Sequence, residues 1–164
     1  MLLRQNGLSL IEVLVAIVVF SIGLLGTARL LVQQNQAGQE SGYRAMASIM
    51  AGDLLERIKA DSSGADGYVG DYEGTSLADS GGCSASNGWE AWKCDWFDDD
   101  HPLLPDPRIC VSLQDQDPGQ KAMVTVVWRV RAAFTSPSDL PDCVNSRDDP
   151  SNQRWVSMQT WIAP

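Results

Sequence analysis

Histidine is nearly missing from this chain, with His101 alone in 164 residues. Gly-x-Ser-x-Gly is absent, and no phosphate-cradling glycine loop precedes a helix. The acid/base, nucleophile and phosphate-binding constellations of common enzymes are therefore lacking, and the chain reads as a substrate of enzymes rather than as one. Proline is absent before Pro102, so nothing of that kind interrupts a helix in the first hundred residues. Basic residues are few: 12 Lys and Arg against 21 Asp and Glu, a net charge of -9. Residues 1–60 carry net +1 and residues 61–164 carry net -10, an acidic exterior that repels nucleic acid. No Cys-x-x-Cys pair occurs, which argues against a zinc site, and no metal or other cofactor is expected.

What the chain does have is a long apolar run close to its start. From Leu8 to Ala28 there are 21 residues, and Glu12 is the only ionisable one. As a helix rising about 1.5 Å per residue, this segment spans roughly 30 Å, one bilayer crossing. A charge at the centre of a membrane helix costs about 2.5 to 3.5 kcal/mol on insertion scales, so such a carboxylate normally has a partner and a task. The alternative is that Glu12, four residues beyond Leu8, snorkels to the headgroups. A secretory-signal reading also exists, because Gly26-Thr27-Ala28 offers small residues at a cleavable spacing. Against it stand Glu12 within the apolar region and a helical pattern that runs past the supposed cut.

Beyond Arg29 the pattern turns amphipathic. Tyr43, Met46, Ala47, Met50, Leu54 and Ile58 recur at offsets of three and four, predicting one helix from Leu8 to about Ala60. The segment from Asp61 to Ser86 is rich in Gly, Ser and Asp and reads as a long loop. Three strands are expected, over Arg108 to Leu113, Ala122 to Phe134 and Arg154 to Ile162. In the second, Val124, Val126, Trp128 and Val130 alternate with Thr125, Val127, Arg129 and Arg131, as in a sheet with one wet face. The fold class is thus α+β: a long N-terminal helix packed by its amphipathic half on a small antiparallel sheet.

Cys83, Cys94, Cys110 and Cys143 all follow the apolar run, and their even number beyond an export signal argues for disulfides in an oxidising compartment. Three pairings are possible. The favoured one joins Cys83 to Cys94 around a Gly-Trp loop and Cys110 to Cys143 between a strand and a late loop. Asp95, Asp98, Asp99, Asp100 and His101 form the densest acidic cluster. Its spacing is not that of an EF-hand, and it reads as a solvated surface rather than a calcium site. Trp89, Trp92 and Trp96, spaced three and four apart, form either a short amphipathic turn packed on the sheet or a partner surface.

The order Arg4, Gly7, Leu8-Ser9-Leu10-Ile11-Glu12 and then an unbroken apolar run resembles the class III leader of type IV pilins and type II secretion pseudopilins. That resemblance covers roughly Arg4 to Leu25. It implies a leader peptide at residues 1–7, cut between Gly7 and Leu8 by the membrane-embedded prepilin peptidase, and N-methylation at Leu8. It makes Glu12 the glutamate that guides assembly and register. It further implies a transmembrane and filament-core helix at 8–28, an amphipathic half at 29–60, and a disulfide-containing periplasmic or extracellular domain at 61–164, together the type IV pilin fold. Cys94-Asp95-Trp96, Leu103-Leu104-Pro105, Ile109-Cys110-Val111 and Val124-Thr125-Val126-Val127-Trp128-Arg129 look like a PilV-type minor pilin, the type IV pilus modification protein. The expected function is then a low-abundance subunit that primes pilus assembly, serving adhesion and twitching motility. The expected partners are other minor pilins, the major pilin, the inner-membrane assembly platform and a tip adhesin, without nucleic acid. The expected location is the bacterial inner membrane, crossed once with the N-terminus cytoplasmic and the C-terminal domain periplasmic, and later the pilus surface. A type II secretion minor pseudopilin and a single-span anchored binding domain are the alternatives.

Overall fold

The structure is a computed structural model that describes residues 9–73, 77, 88–97, 103–130, 140–145 and 150–163. It divides into two units, Met1–Gln39 and Glu40–Pro164. The chain runs through α1 (Leu10–Ala60), a 3-10 helix (Ser62–Tyr68), β1 (Gly70–Glu73), α2 (Gly88–Phe97), β2 (Arg108–Gln116), β3 (Gly119–Arg129), α3 (Asp142–Asn145), a 3-10 turn (Pro150–Asn152) and β4 (Gln153–Ile162). This is the α+β, pilin-like fold: a long N-terminal helix whose second half packs on a small antiparallel four-stranded sheet.

Within the second unit, α1 buries Ala47, Met50, Ala51, Leu54, Leu55 and Ile58, all at helical spacing on one face. Tyr43 and Met46 pack against this core from its rim. Arg57 and Lys59 lie in the last turn, where the helix dipole favours cations. The strands follow the order β1-β2-β3-β4, each antiparallel to its neighbour. Ile109 and Val111 of β2, Ala122, Val124, Val126 and Trp128 of β3, and Ile162 of β4 join the buried side chains of α1 in one hydrophobic core. The alternation read from the sequence therefore faces the helix as expected. Gly119 opens β3 against the last residues of β4, where a Cβ would stand 2.5 Å from the Ile162 carbonyl. Glycine is required there by close approach.

The opposite face of the sheet differs from expectation, because its centre is not wet. Thr125 and Val127 are buried, and the Thr125 and Ser157 hydroxyls meet at 2.9 Å across β3 and β4. The register places Cys110 beside Thr125 on this face. A disulfide from Cys110 to Cys143, with Cα atoms 6.1 Å apart, fastens α3 there, and Val144 next to it is fully buried. β3 ends at Arg129 rather than continuing to Phe134, which lies outside the described residues.

The stretch read as a long loop contains two regular elements, the 3-10 helix and β1. Four residues of β1 pair with Arg108 to Val111 of β2. Arg108, with its side chain almost fully buried, clamps the edge by donating to both carboxylate oxygens of Asp71 and lying 3.6 Å from Glu73. That hydrogen bonding raises the pKa of Arg108, against the opposing effect of burial.

The three tryptophans lie on a ten-residue helix, α2, and they pack. Tyr72 of β1 stacks on Trp89 with centroids 3.7 Å apart, Trp89 on Trp92 at 5.1 Å, and Trp92 meets Phe97 at 5.9 Å. Burial raises the pKa of Tyr68 and of Tyr72, reinforced by the negative charges of Asp61 and Glu90 respectively. Both groups bind their protons more tightly folded than unfolded. They thus contribute stability that is present below the unfolded value of 10.0 and lost as pH rises through the folded values. We expect the thermal midpoint of the detergent-solubilised chain to fall above pH about 10, and less steeply in Tyr72→Phe. A pH series of melting curves from 8 to 12 checks this.

Candidate functional site

The described part of the N-terminal unit is exposed throughout, and from Leu10 to Val32 it is mostly apolar. Helix α1 begins where the Ser9 carbonyl accepts the Glu12 and Val13 amides at 3.0 and 3.3 Å. Leu10, Phe20 and Leu25 are 78%, 68% and 72% exposed, and the same holds for other large apolar residues as far as Val32. None of the most apolar 18-residue window of α1 is buried, and the helix is long and apolar enough to cross a membrane. Its two early hydroxyls are satisfied within the helix: Ser21 Oγ donates to the Ile17 carbonyl at 2.7 Å and Thr27 Oγ1 to the Leu24 carbonyl at 2.9 Å. That is the arrangement a lipid environment demands of polar groups.

Glu12 stands apart from this pattern. It is exposed in the first turn of α1, and no described residue pairs with its carboxylate. The first turn is where a helix presents unpaired amides and positive potential, so the site favours a negative side chain locally. It leaves the carboxylate free to meet a cation from outside the helix. Gly7 and Leu8, the expected cleavage pair, lie outside the described residues.

In the second unit, polar contacts dock α2 and β4 onto α1. Asp53 accepts from Trp96 Nε1 at 3.0 Å and from Arg57 Nε at 3.2 Å, while Arg57 also pairs with Asp95. Burial would lower the pKa of Arg57, yet the hydrogen bond it donates to Asp95 and the charge of Asp53 outweigh it and the net shift is upward. Asp95 of the acidic cluster is thus engaged in an ion pair, and Asp98, Asp99, Asp100 and His101 lie outside the described residues. Arg154 of β4 reaches Glu40 of α1 at 2.9 Å. Of these partners only Asp53 and Arg57, one turn apart, carried a local signal. The others are paired over 38 to 114 residues of sequence, which no spacing rule detects.

Asp71, Cys110 and Cys143 bring ligand atoms within 4.8 Å of one another. Cys110 and Cys143 share a disulfide, so neither offers a thiolate to a metal. Cys94 is also disulfide-bonded, and Cys83 lies outside the described residues.

Residues 2–28 match the family model described as the prokaryotic N-terminal methylation motif. No curated protein and no solved structure matches the chain. The matched segment contains Gly7, Leu8 and Glu12 and ends at Ala28 in the apolar run. Together, motif and helix point to a membrane-anchored protein.

Proposed function

We propose, from a motif that supports a type IV pilin or pseudopilin, that this chain is a minor pilin that helps to prime assembly of a type IV pilus. The observation that carries the reading is an exposed apolar helix whose first turn, inside the matched motif, holds a carboxylate that no described residue pairs with. In this reading prepilin peptidase cuts after Gly7, and the new amine at Leu8 is methylated. The apolar half of α1 is held first by the inner membrane and then by the filament core. The domain is delivered to the periplasm and the pilus surface, in company with other minor pilins, the major pilin, the assembly platform and a tip adhesin. Disulfides suit that oxidising destination.

The motif favours a structural subunit over an enzyme. Two of the segments that resemble a PilV-type minor pilin, Ile109-Cys110-Val111 and Val124 to Arg129, lie on the central strands β2 and β3. Deletion of the gene is expected to reduce surface pili at least tenfold while major pilin accumulates in the inner membrane, with recovery on complementation. Electron-microscope counts of pili and fractionation of the major pilin measure both. Normal pili with impaired protein secretion would instead assign the chain to a type II secretion pseudopilus.

A further inference from the structure

The two edges of the sheet are built differently. β1 is four residues long, carries Asp71 and Glu73, and is clamped by Arg108. Short length and edge charge are devices that stop a strand from recruiting another. β4 has neither. It is ten residues long and contains no proline, and its one charged residue, Arg154, pairs with Glu40. Ten consecutive residues pair with β3, from Gln153 with Arg129 to Ile162 with Gln120, so no bulge turns the edge away. Its middle is open: Ser157, Met158 and Gln159 are exposed, as is Trp161, and Met158 and Trp161 are 37% and 43% exposed.

The ladder also fixes which backbone groups face outward. Just beyond the strand ends, the Val130 amide donates to the Asn152 carbonyl at 2.7 Å, so that pair is a hydrogen-bonded one. Hydrogen-bonded pairs alternate along an antiparallel ladder, so in β4 the even-numbered residues bond to β3. Trp155, Ser157, Gln159 and Trp161 therefore turn their amides and carbonyls to the open side.

We infer that β4 is a docking edge that takes an extended segment of a different protein as a fifth strand of the sheet. An extended backbone is the chemistry that matches a row of outward amides and carbonyls at every second residue. Met158 on one face and Trp161 on the other offer apolar contacts to its alternating side chains. Charge excludes a second copy as the preferred occupant, because each chain carries -9 and pairing would set two acidic domains edge to edge. The segment that fits is uncharged or basic, with small β-branched residues.

The test uses the full chain in detergent and three ten-residue peptides of alternating Val and Thr: one flanked by lysines, one by glutamates, and one lysine-flanked but N-methylated at every second residue. Amide hydrogen exchange at Ser157, Gln159 and Trp161 is expected to slow at least tenfold with the lysine-flanked peptide. It is expected to change little with the glutamate-flanked peptide and not at all with the N-methylated one. Gln159→Pro, which removes one outward amide and no β3 bond, is expected to abolish binding while the Cys110–Cys143 disulfide and the melting curve persist. If that variant does not fold, Ser157→Lys with Gln159→Lys blocks the same edge by charge. Unchanged exchange with every peptide, or equal protection by the glutamate-flanked one, would overturn the proposal. So would a homodimer of the free chain that Gln159→Pro makes monomeric. None of these outcomes bears on processing at Leu8, so failure here and failure of the pilin reading are distinguishable.

Discussion

Glu12→Gln is expected to leave the protein in the membrane at normal abundance and to lower its level in sheared pili at least tenfold. In the first turn of α1 no described residue pairs with the Glu12 carboxylate, while Ser21 and Thr27 are satisfied inside the helix. In the proposed mature protein a positive amine stands at Leu8, four residues before Glu12 in sequence. Helices packed with an axial offset bring the amine of one subunit to the carboxylate of its neighbour. At about 4 Å and an effective dielectric near 20 the attraction is about 4 kcal/mol before desolvation is subtracted. A net remainder of about 1.4 kcal/mol already gives the tenfold effect. Glutamine keeps the shape and loses the charge, so insertion into the bilayer improves slightly while the stagger between helices loses its anchor. Immunoblots of membrane and sheared fractions read both quantities. Wild-type incorporation of Glu12→Gln would remove Glu12 from the account.

The largest stability effect is expected at Trp92. Its side chain is fully buried between Trp89, Trp96 and Phe97, in the layer by which α2 joins the core. Truncation of a buried tryptophan to alanine costs about 3 to 5 kcal/mol through lost burial and the cavity left behind. For a domain of this size that is a drop of roughly 10 to 20 °C in melting temperature. The indole Nε1 of Trp92, however, has no hydrogen-bond partner among the described residues. A buried donor without a partner is itself unfavourable, so Trp92→Phe discards a cost along with the lost ring area. Trp92→Phe is therefore expected to lose less than half of what Trp92→Ala loses. Thermal melts of both variants under non-reducing conditions check this, and a Trp92→Ala midpoint within 2 °C of wild type would contradict the packing assignment.

Much of the architecture was legible because it rests on local periodicity. The offsets of three and four from Tyr43 to Ile58 mark the buried face of α1, and the absence of proline before Pro102 permits its continuity. The even positions of β3 announce its helix-facing side. Burial of Thr125 and Val127 was not legible, since their positions in the alternation of β3 read as the wet face of the sheet. Nor was β1: Gly70-Asp71-Tyr72-Glu73 has almost no strand propensity and is held by pairing with β2 and by Arg108, nearly forty residues away. The tryptophan spacing admitted both a packed turn and a sticky surface, and stacking on Tyr72 of β1 explains why packing prevails. Of the N-terminal site, the motif was readable residue by residue because it acts through local chemistry. The open edge of β4 became visible only once the strand order was known.

Entry of the apolar N-terminal helix into a filament is proposed to follow processing at Gly7. It is tested most directly by the intact mass and N-terminal sequence of the membrane-extracted protein, from cells with and without prepilin peptidase. The expected result is a chain that starts at N-methylated Leu8 when the peptidase is present and at Met1 when it is absent. An intact Met1 in both strains, or a start at Arg29 in both, would contradict it.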